Sequence, residues 1–202
     1  MSTMYDHLSA TTADPPPSRT RLLILLALGV GLSLLLAGFS MAAAQSLLPP
    51  DISAFTPTAE DGYRADGEVV TLADEDLPII ARLDPALRDA LRQAEAAAVA
   101  DGVAFQVTSG WRSERYQARL LEDAIEEHGS EQVAREFVAA PDLSKHVTGE
   151  AVDIAPIDAQ DWLIRHGAVY GICQTYANER WHFELATDPG GVCPEMRQDA
   201  AG

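Results

Sequence analysis

Ser144-Lys-His-Val-Thr-Gly-Glu-Ala-Val-Asp153, answered downstream by Glu179-Arg-Trp-His-Phe-Glu184, is the pair of stretches around which the rest of the chain is read. Together they offer His146, Asp153 and His182 as three metal ligands, with the Glu179 carboxylate beside them. Two neutral imidazoles and one carboxylate suit Zn²⁺, and three protein ligands leave a fourth position for water. A metal held this way lowers the pKa of that water toward neutrality. A neighbouring Glu can take the proton and later hand it to a leaving amine. The residue types therefore point to metal-assisted hydrolysis.

Working outward, Ala151-Val-Asp-Ile-Ala155 alternates as a strand, with Asp153 opposite Val152 and Ile154. Trp181-His-Phe-Glu-Leu185 alternates again, with His182 and Glu184 facing away from Trp181, Phe183 and Leu185. Each strand buries one side and presents a ligand on the other. Residues 141–148 are expected as loop. Asp84-Pro85 is a helix start, Asp as N-cap and Pro at the first helical position, and the helix is expected to stop at Asp101-Gly102. Val103-Ala-Phe-Gln-Val-Thr108 reads as a strand that delivers Ser109-Gly-Trp-Arg-Ser113 at its end, where loops often carry function. Ser113 caps a helix running to His128-Gly129, Ser130 caps a shorter one to Val138, and 161–166 is a short helix. From Asp188 onward, with Pro189-Gly190-Gly191, the chain reads as irregular.

With 202 residues there is room for one medium domain plus extra segments, and a formal charge of −17 argues against nucleic acid as a partner. Residues 1–20 are polar, with Pro15-Pro16-Pro17 blocking a helix. The apolar run over residues 22–44 has no charge and follows Arg19 and Arg21. Two readings compete. One is a secretory signal ending in Ala42-Ala43-Ala44, the other an uncleaved membrane anchor. Either places the bulk of the chain outside the cytoplasm. Residues 45–67, with Pro49, Pro50 and Pro57, read as a linker. Cys173 and Cys193 are either a disulfide, as that compartment favours, or two buried thiols.

His128 and His166 each precede a Gly at an expected helix end, where an imidazolium suits the helix dipole, and His7 lies in the polar N-terminus. That leaves His146 and His182. Ser144-x-His146-x-x-Gly149-x-Ala151-x-Asp153 followed by Glu179-x-Trp181-His182 resembles the zinc D-alanyl-D-alanine carboxypeptidase family of VanY/VanX-like metallopeptidases. The upstream Ser109-Gly-Trp-Arg112-Ser113-x-x-x-Gln117 matches that family's third block, so three blocks occur in the family order over roughly residues 75–186.

The resemblance implies that His146, Asp153 and His182 bind zinc and that Glu179 is the general acid/base. It further implies that Arg112 faces the peptide's carbonyl or carboxylate, and that Gln117 and Ser144 help to hold the terminal carboxylate. Arg112 has a fixed fork of donors suited to a developing oxyanion. Trp111 stands where many members carry Tyr, and Trp111 and Trp181 are expected to dry and shape the pocket. Glu184 either orients His182 from behind or is a solvated acid. The implied fold is α+β, a small central antiparallel sheet with helices packed on it and the zinc cleft on the sheet; the apolar run adds an expected N-terminal transmembrane or signal helix. The expected organisation is a 1–20 N-terminus, a 21–44 anchor or signal, a 45–67 linker, a 68–190 catalytic domain and a 191–202 tail. The implied activity is removal of the terminal D-alanine from peptidoglycan stem peptides, outside the cytoplasm, with an L,D-carboxypeptidase, an endopeptidase or a non-catalytic wall-binding module as rivals. A serine mechanism is disfavoured because the Ser-x-x-Lys and Lys-Thr-Gly motifs are absent.

Overall fold

Val152 and Ile154 alternate with Asp153, and Phe183 with His182 and Glu184, so each stretch has an apolar side to bury. A computed structural model, describing residues 55–201, pairs them as adjacent antiparallel strands, β2 (Ala151–Ala155) and β4 (His182–Leu185). β1 (Gln106–Ser109) flanks β2 and β3 (Ile172–Gln174) flanks β4, giving a four-stranded antiparallel sheet in the order β1-β2-β4-β3. Val107, Val152, Ile154, Ile172 and Phe183 enter one core with helices α2 (Pro85–Ala100) and α6 (Ile157–His166). Leu87, Ala90, Leu91, Ala94 and Ala98 form the buried stripe of α2 at helical spacing, and each buried leucine contributes roughly 1.5–3 kcal/mol.

The long helix α3 (Glu114–His128), the short helices α1 (Pro78–Ala81) and α4 (Glu131–Ala134) and the single turn α5 (Lys145–Thr148) complete the fold. Leu121, Ala124, Ala134 and Ala140 make a second, smaller apolar cluster around α3 and α4. The expected α+β architecture with a small antiparallel sheet is therefore present. The N-terminal apolar run lies outside the described residues. Among the described residues no helix is long and apolar enough to cross a membrane.

Local differences from the sequence reading have physical causes. The strand expected from Val103 begins at Gln106, because its partner β2 ends at Ala155, opposite Gln106, before a proline without an N–H. The expected loop before Gly149 contains α5, one turn being too short to leave a period. Helix α6 begins at Ile157, earlier than expected, directly after Pro156. The three-residue β3 was not anticipated. Asp84 caps α2 as expected, accepting from the Ala86 and Leu87 N–H groups at 2.9 and 3.1 Å. Cys173 and Cys193 are joined in a disulfide.

Upstream of α1, Ala59–Asp61 forms a 3₁₀ turn that buries Asp61. Its Oδ1 accepts from Ser113 Oγ at 2.9 Å and Arg115 Nε at 2.8 Å, and its Oδ2 from the Thr58 N–H and hydroxyl, both at 3.1 Å. The Ser113 N–H donates to the Asp61 carbonyl at 2.9 Å. The turn is thereby stapled to the start of α3, one residue past Arg112. Burial opposes the charge on Asp61, but hydrogen bonds from Arg115, Thr58 and Ser113 outweigh it and bring the pKa down to about 2. Asp61→Ala is expected to cost about 1–3 kcal/mol near neutral pH by leaving those donors without an acceptor. Because the folded pKa lies below the ordinary 3.8, the contribution is complete above that value and lost as pH falls through about 2. Urea midpoints of wild type and variant should converge across that window.

Candidate metal centre

Register explains why two candidate ligands from distant segments meet. Asp153 and His182 are directly opposed Cα partners in the β2–β4 ladder, so both side chains leave the same face of the sheet. His146 arrives from α5, whose capping residue Gly149 has φ +76° and lies so close to the end of α1 that an added Cβ would stand 2.4 Å from the Arg82 carbonyl. Glycine is required there on both counts. The block Ser109–Ser113 closes the third side. The register of β1 against β2 shifts between Val107 and Ser109, a bulge that frees the chain to turn. The Arg112 N–H then donates to the His146 carbonyl at 3.1 Å.

The three ligand atoms form a nearly equilateral triangle. His146 Nε2 lies 3.2 Å from His182 Nδ1 and 3.3 Å from Asp153 Oδ1, and the remaining side, His182 Nδ1 to Asp153 Oδ1, is 3.2 Å. A tetrahedral ion with bonds of about 2.0–2.1 Å sets its ligands about 3.3 Å apart, so the spacing suits Zn²⁺. The far nitrogens are spoken for. His146 Nδ1 donates to the Gly110 carbonyl at 2.8 Å, and His182 Nε2 donates to Glu184 Oε1 at 3.1 Å. With those protons on the outer nitrogens, both inner nitrogens point lone pairs at the centre. All three side chains are buried, and they form the group of His, Cys, Asp and Glu atoms close enough to hold an ion among the described residues.

The charges around the triangle favour a cation. Burial would raise the pKa of Asp153, but the flanking imidazoles and Arg112 outweigh it and hold the carboxyl well below the usual range. Burial and the Arg112 guanidinium pull His146 down to about 4. Burial works against a charge on His182 as well, yet its hydrogen bonds to Asp153 and Glu184 win and push it up to about 9. Glu179 is buried at the rim, its Oε2 3.7 Å from His182 Nδ1, and burial pushes its pKa up to about 7. A carboxyl poised there can gain and lose a proton near neutral pH.

The cleft over this centre is lined by Arg112, Ser144, Tyr176, Glu179 and Trp181 among others. Arg112 is held on three sides: Nε donates to Ser109 Oγ at 2.7 Å, Nη1 to Gln117 Oε1 at 3.0 Å and Nη2 to Asp153 Oδ2 at 3.1 Å. Asp153 thus keeps Oδ1 for the centre and gives Oδ2 to Arg112. Gln117 is buried with both amide ends engaged, its Nε2 donating to the Ala139 carbonyl at 2.8 Å, so its direct partner is Arg112. Ser144 lines the cleft beside His146 without capping α5 through its hydroxyl. Trp181 stands at the mouth, 44% exposed, while Trp111 packs under Arg82, whose guanidinium carbon is 4.4 Å from the ring centroid. Of the two readings of Glu184, the orienting one is observed. The sequence reading missed Tyr176, whose ring centroid lies 4.8 Å from that of His182, and the Gly110 carbonyl. Gly110 stood inside a recognised block, but no side-chain pattern announces a carbonyl's role.

Comparison with known proteins identifies the family. The family model for the VanY D-alanyl-D-alanine carboxypeptidases matches residues 80–188, over half of the chain, and the chain belongs to that family. No curated protein matches by sequence search. Among solved structures, VanYB in complex with D-alanine-D-alanine is 25% identical with a TM-score of 0.50, over 60% of this chain and 78% of that one. The D,D-dipeptidase VanXYg, bound to a D-Ala-D-Ala phosphinate analog, is 24% identical with a TM-score of 0.50, over 62% of this chain and 59% of that one. A VanY D,D-pentapeptidase variant from a VanB-type resistance cassette, in complex with Zn(II), is 26% identical with a TM-score of 0.49, over 59% and 78%. Among the described residues His146, Asp153 and His182 are the group that could hold a metal ion, and their two nitrogens and one oxygen at this spacing suit Zn²⁺.

The metal-free protein should therefore take up one Zn²⁺ per chain. At a hundredfold excess over Kd, the ion should add about 2.7 kcal/mol to stability in calorimetry. His146→Ala should abolish that gain.

Proposed function

We propose that the chain is a zinc-dependent D,D-carboxypeptidase that removes the terminal D-alanine from peptidoglycan stem peptides. The observation that carries this reading is Glu179, a buried carboxyl with a pKa near 7, placed 3.7 Å from a nitrogen of a three-ligand centre inside an open cleft. Binding alone needs no general base, so this arrangement argues against a non-catalytic wall-binding module. Family membership and the D-alanine-D-alanine complex of a structural relative support the choice of substrate.

Zn²⁺ bound by His146, Asp153 and His182 would supply an acidified water and polarise the scissile carbonyl. The protein's own residues do the rest. Glu179 takes up a proton at its carboxylate and delivers it to the departing amine of D-alanine. Arg112 spends three of its five N–H groups on Ser109, Gln117 and Asp153, leaving two for an oxygen of the peptide as charge develops. Gln117 acts through Arg112, holding the fork in its plane, while the Ser144 hydroxyl is available to the terminal carboxylate. Trp181 and Tyr176 wall the cleft and exclude water from the reacting bond.

The site of action is outside the cytoplasm, at the cell wall, with residues 22–44 acting as a retained anchor or a cleaved signal. The Cys173–Cys193 disulfide supports an oxidising compartment.

Purified protein should release D-alanine from a peptide ending in D-Ala-D-Ala, and a chelator should stop it. Glu179→Gln should keep its zinc and lose roughly 10²–10⁴ in kcat. Retained turnover in that variant would refute the assigned base. Product analysis on defined muropeptides separates this activity from L,D-carboxypeptidase and endopeptidase cleavage by the bond that is cut.

A further inference from the structure

The carboxyl-terminal segment, residues 193–201, reaches the back of the metal centre. It starts at Cys193, tied by the disulfide to Cys173, and Cys173 is the direct cross-strand partner of Glu184. Beyond the disulfide the chain runs beside the end of β3. The Arg197 N–H donates to the Thr175 carbonyl at 2.9 Å, and the Ala177 N–H donates to the Arg197 carbonyl at 2.8 Å, a parallel bridge between Tyr176 and Arg197. This backbone clasp aims the Arg197 side chain. Its guanidinium carbon lies 4.2 Å from the Tyr176 ring centroid, and its Nη2 donates to Glu184 Oε1 at 3.0 Å.

That same Oε1 accepts from the Thr175 hydroxyl at 2.7 Å and from His182 Nε2 at 3.1 Å. Three donors on one oxygen of a buried carboxylate form a closed knot, and two of them, Thr175 and His182, are themselves buried. The other two donors, Thr175 and Arg197, fix the position of the oxygen that takes the outer proton of His182. Arg197 adds a permanent positive charge to the hydrogen bonds from Thr175 and His182 that hold this buried carboxylate. Tyr176, beneath Arg197, packs on the His182 ring, and Tyr176 and Ala200 both line the cleft.

We infer that Arg197 is a positioning residue of the metal centre, acting through Glu184 on the orientation of His182 and delivered there by the Cys173–Cys193 disulfide. The inference rests on the reading of His146, Asp153 and His182 as a zinc site. Residues behind a metal-binding histidine are typically worth about 10–100-fold in metal affinity, and Arg197, one contact further out, belongs at the lower end.

The test is zinc affinity, measured by competition with a chromophoric chelator on the full chain. Circular dichroism and the Tm of each metal-free variant establish that it is folded. Arg197→Ala should weaken zinc binding about tenfold, and Arg197→Lys, which keeps the charge but not the planar fork, should recover most of the loss. Removing the disulfide as the pair Cys173→Ser and Cys193→Ser, which leaves no free thiol near the ion, should give the same loss as Arg197→Ala. Adding Arg197→Ala to that pair should cost nothing more, as for residues that act as one unit. An Arg197→Ala affinity within about twofold of wild type, the ordinary scatter of such cycles, would overturn the inference. So would a disulfide-free protein that lost Tm while keeping its zinc affinity. A wild type that bound no more zinc than His146→Ala would instead remove the zinc reading on which the inference stands.

Discussion

Three acceptor atoms facing one another at 3.2–3.3 Å, with the imidazole protons held on the outer side, are the constraint on which this structure depends. Without a cation between them, a proton on His182 Nδ1, shared with Asp153 Oδ1, is what keeps the two imidazoles and the carboxylate oxygen from repelling. The fold fixes them there with the rigidity of a sheet. The β2–β4 register sets Asp153 against His182, and α5, ended by Gly149, swings His146 into the remaining corner. The core of α2 and α6 on the opposite face holds the sheet still, because Val152, Ile154 and Phe183 are fully buried in it. Ligand placement and core packing are two sides of the same strands.

Around this centre the charges are arranged in layers. Asp153 divides its oxygens, one toward the other ligands and one toward Arg112, so a cation on one side is balanced by a guanidinium on the other. Glu184 does the corresponding work behind His182, and Arg197 sits behind Glu184. Glu179 alone among the nearby acids lacks a strong opposing hydrogen bond, and burial accordingly carries its pKa to about 7. Among the described residues it is the acid at the centre suited to exchanging a proton, while Asp153 and Glu184 are held ionised. The whole chain is acidic at −17, yet the cleft is bounded by Arg112 and Lys145, which suits a peptide ending in a carboxylate.

Much of this was legible before any coordinates. His146, Asp153 and His182 were readable because spacing, strand alternation and motif order all pointed to them, and Asp84, Ser113 and Ser130 announced their helices by cap chemistry. Short elements were not legible. α5 and β3 are four and three residues long, too few to show a period of 3.6 or of 2. Long-range partners were not legible either. Gln117 was expected at the substrate and is found holding Arg112, because only the folded loop shows that both ends of its amide are engaged. Arg197 lay in a stretch with no pattern, and the disulfide that gives it a place could not be told from two buried thiols. Asp61, in a segment read as linker, gave no sign of its partners, since Ser113 and Arg115 are more than fifty residues away.

The central claim is that two imidazoles and one carboxylate share a single zinc ion, and X-ray absorption at the zinc edge tests it most directly. On protein loaded with one equivalent of Zn²⁺, the account predicts a first shell of nitrogen and oxygen only, at about 2.0–2.1 Å, with the outer-shell scattering of two imidazole rings. Scattering from one imidazole or none, or a sulfur shell at about 2.3 Å, would contradict it.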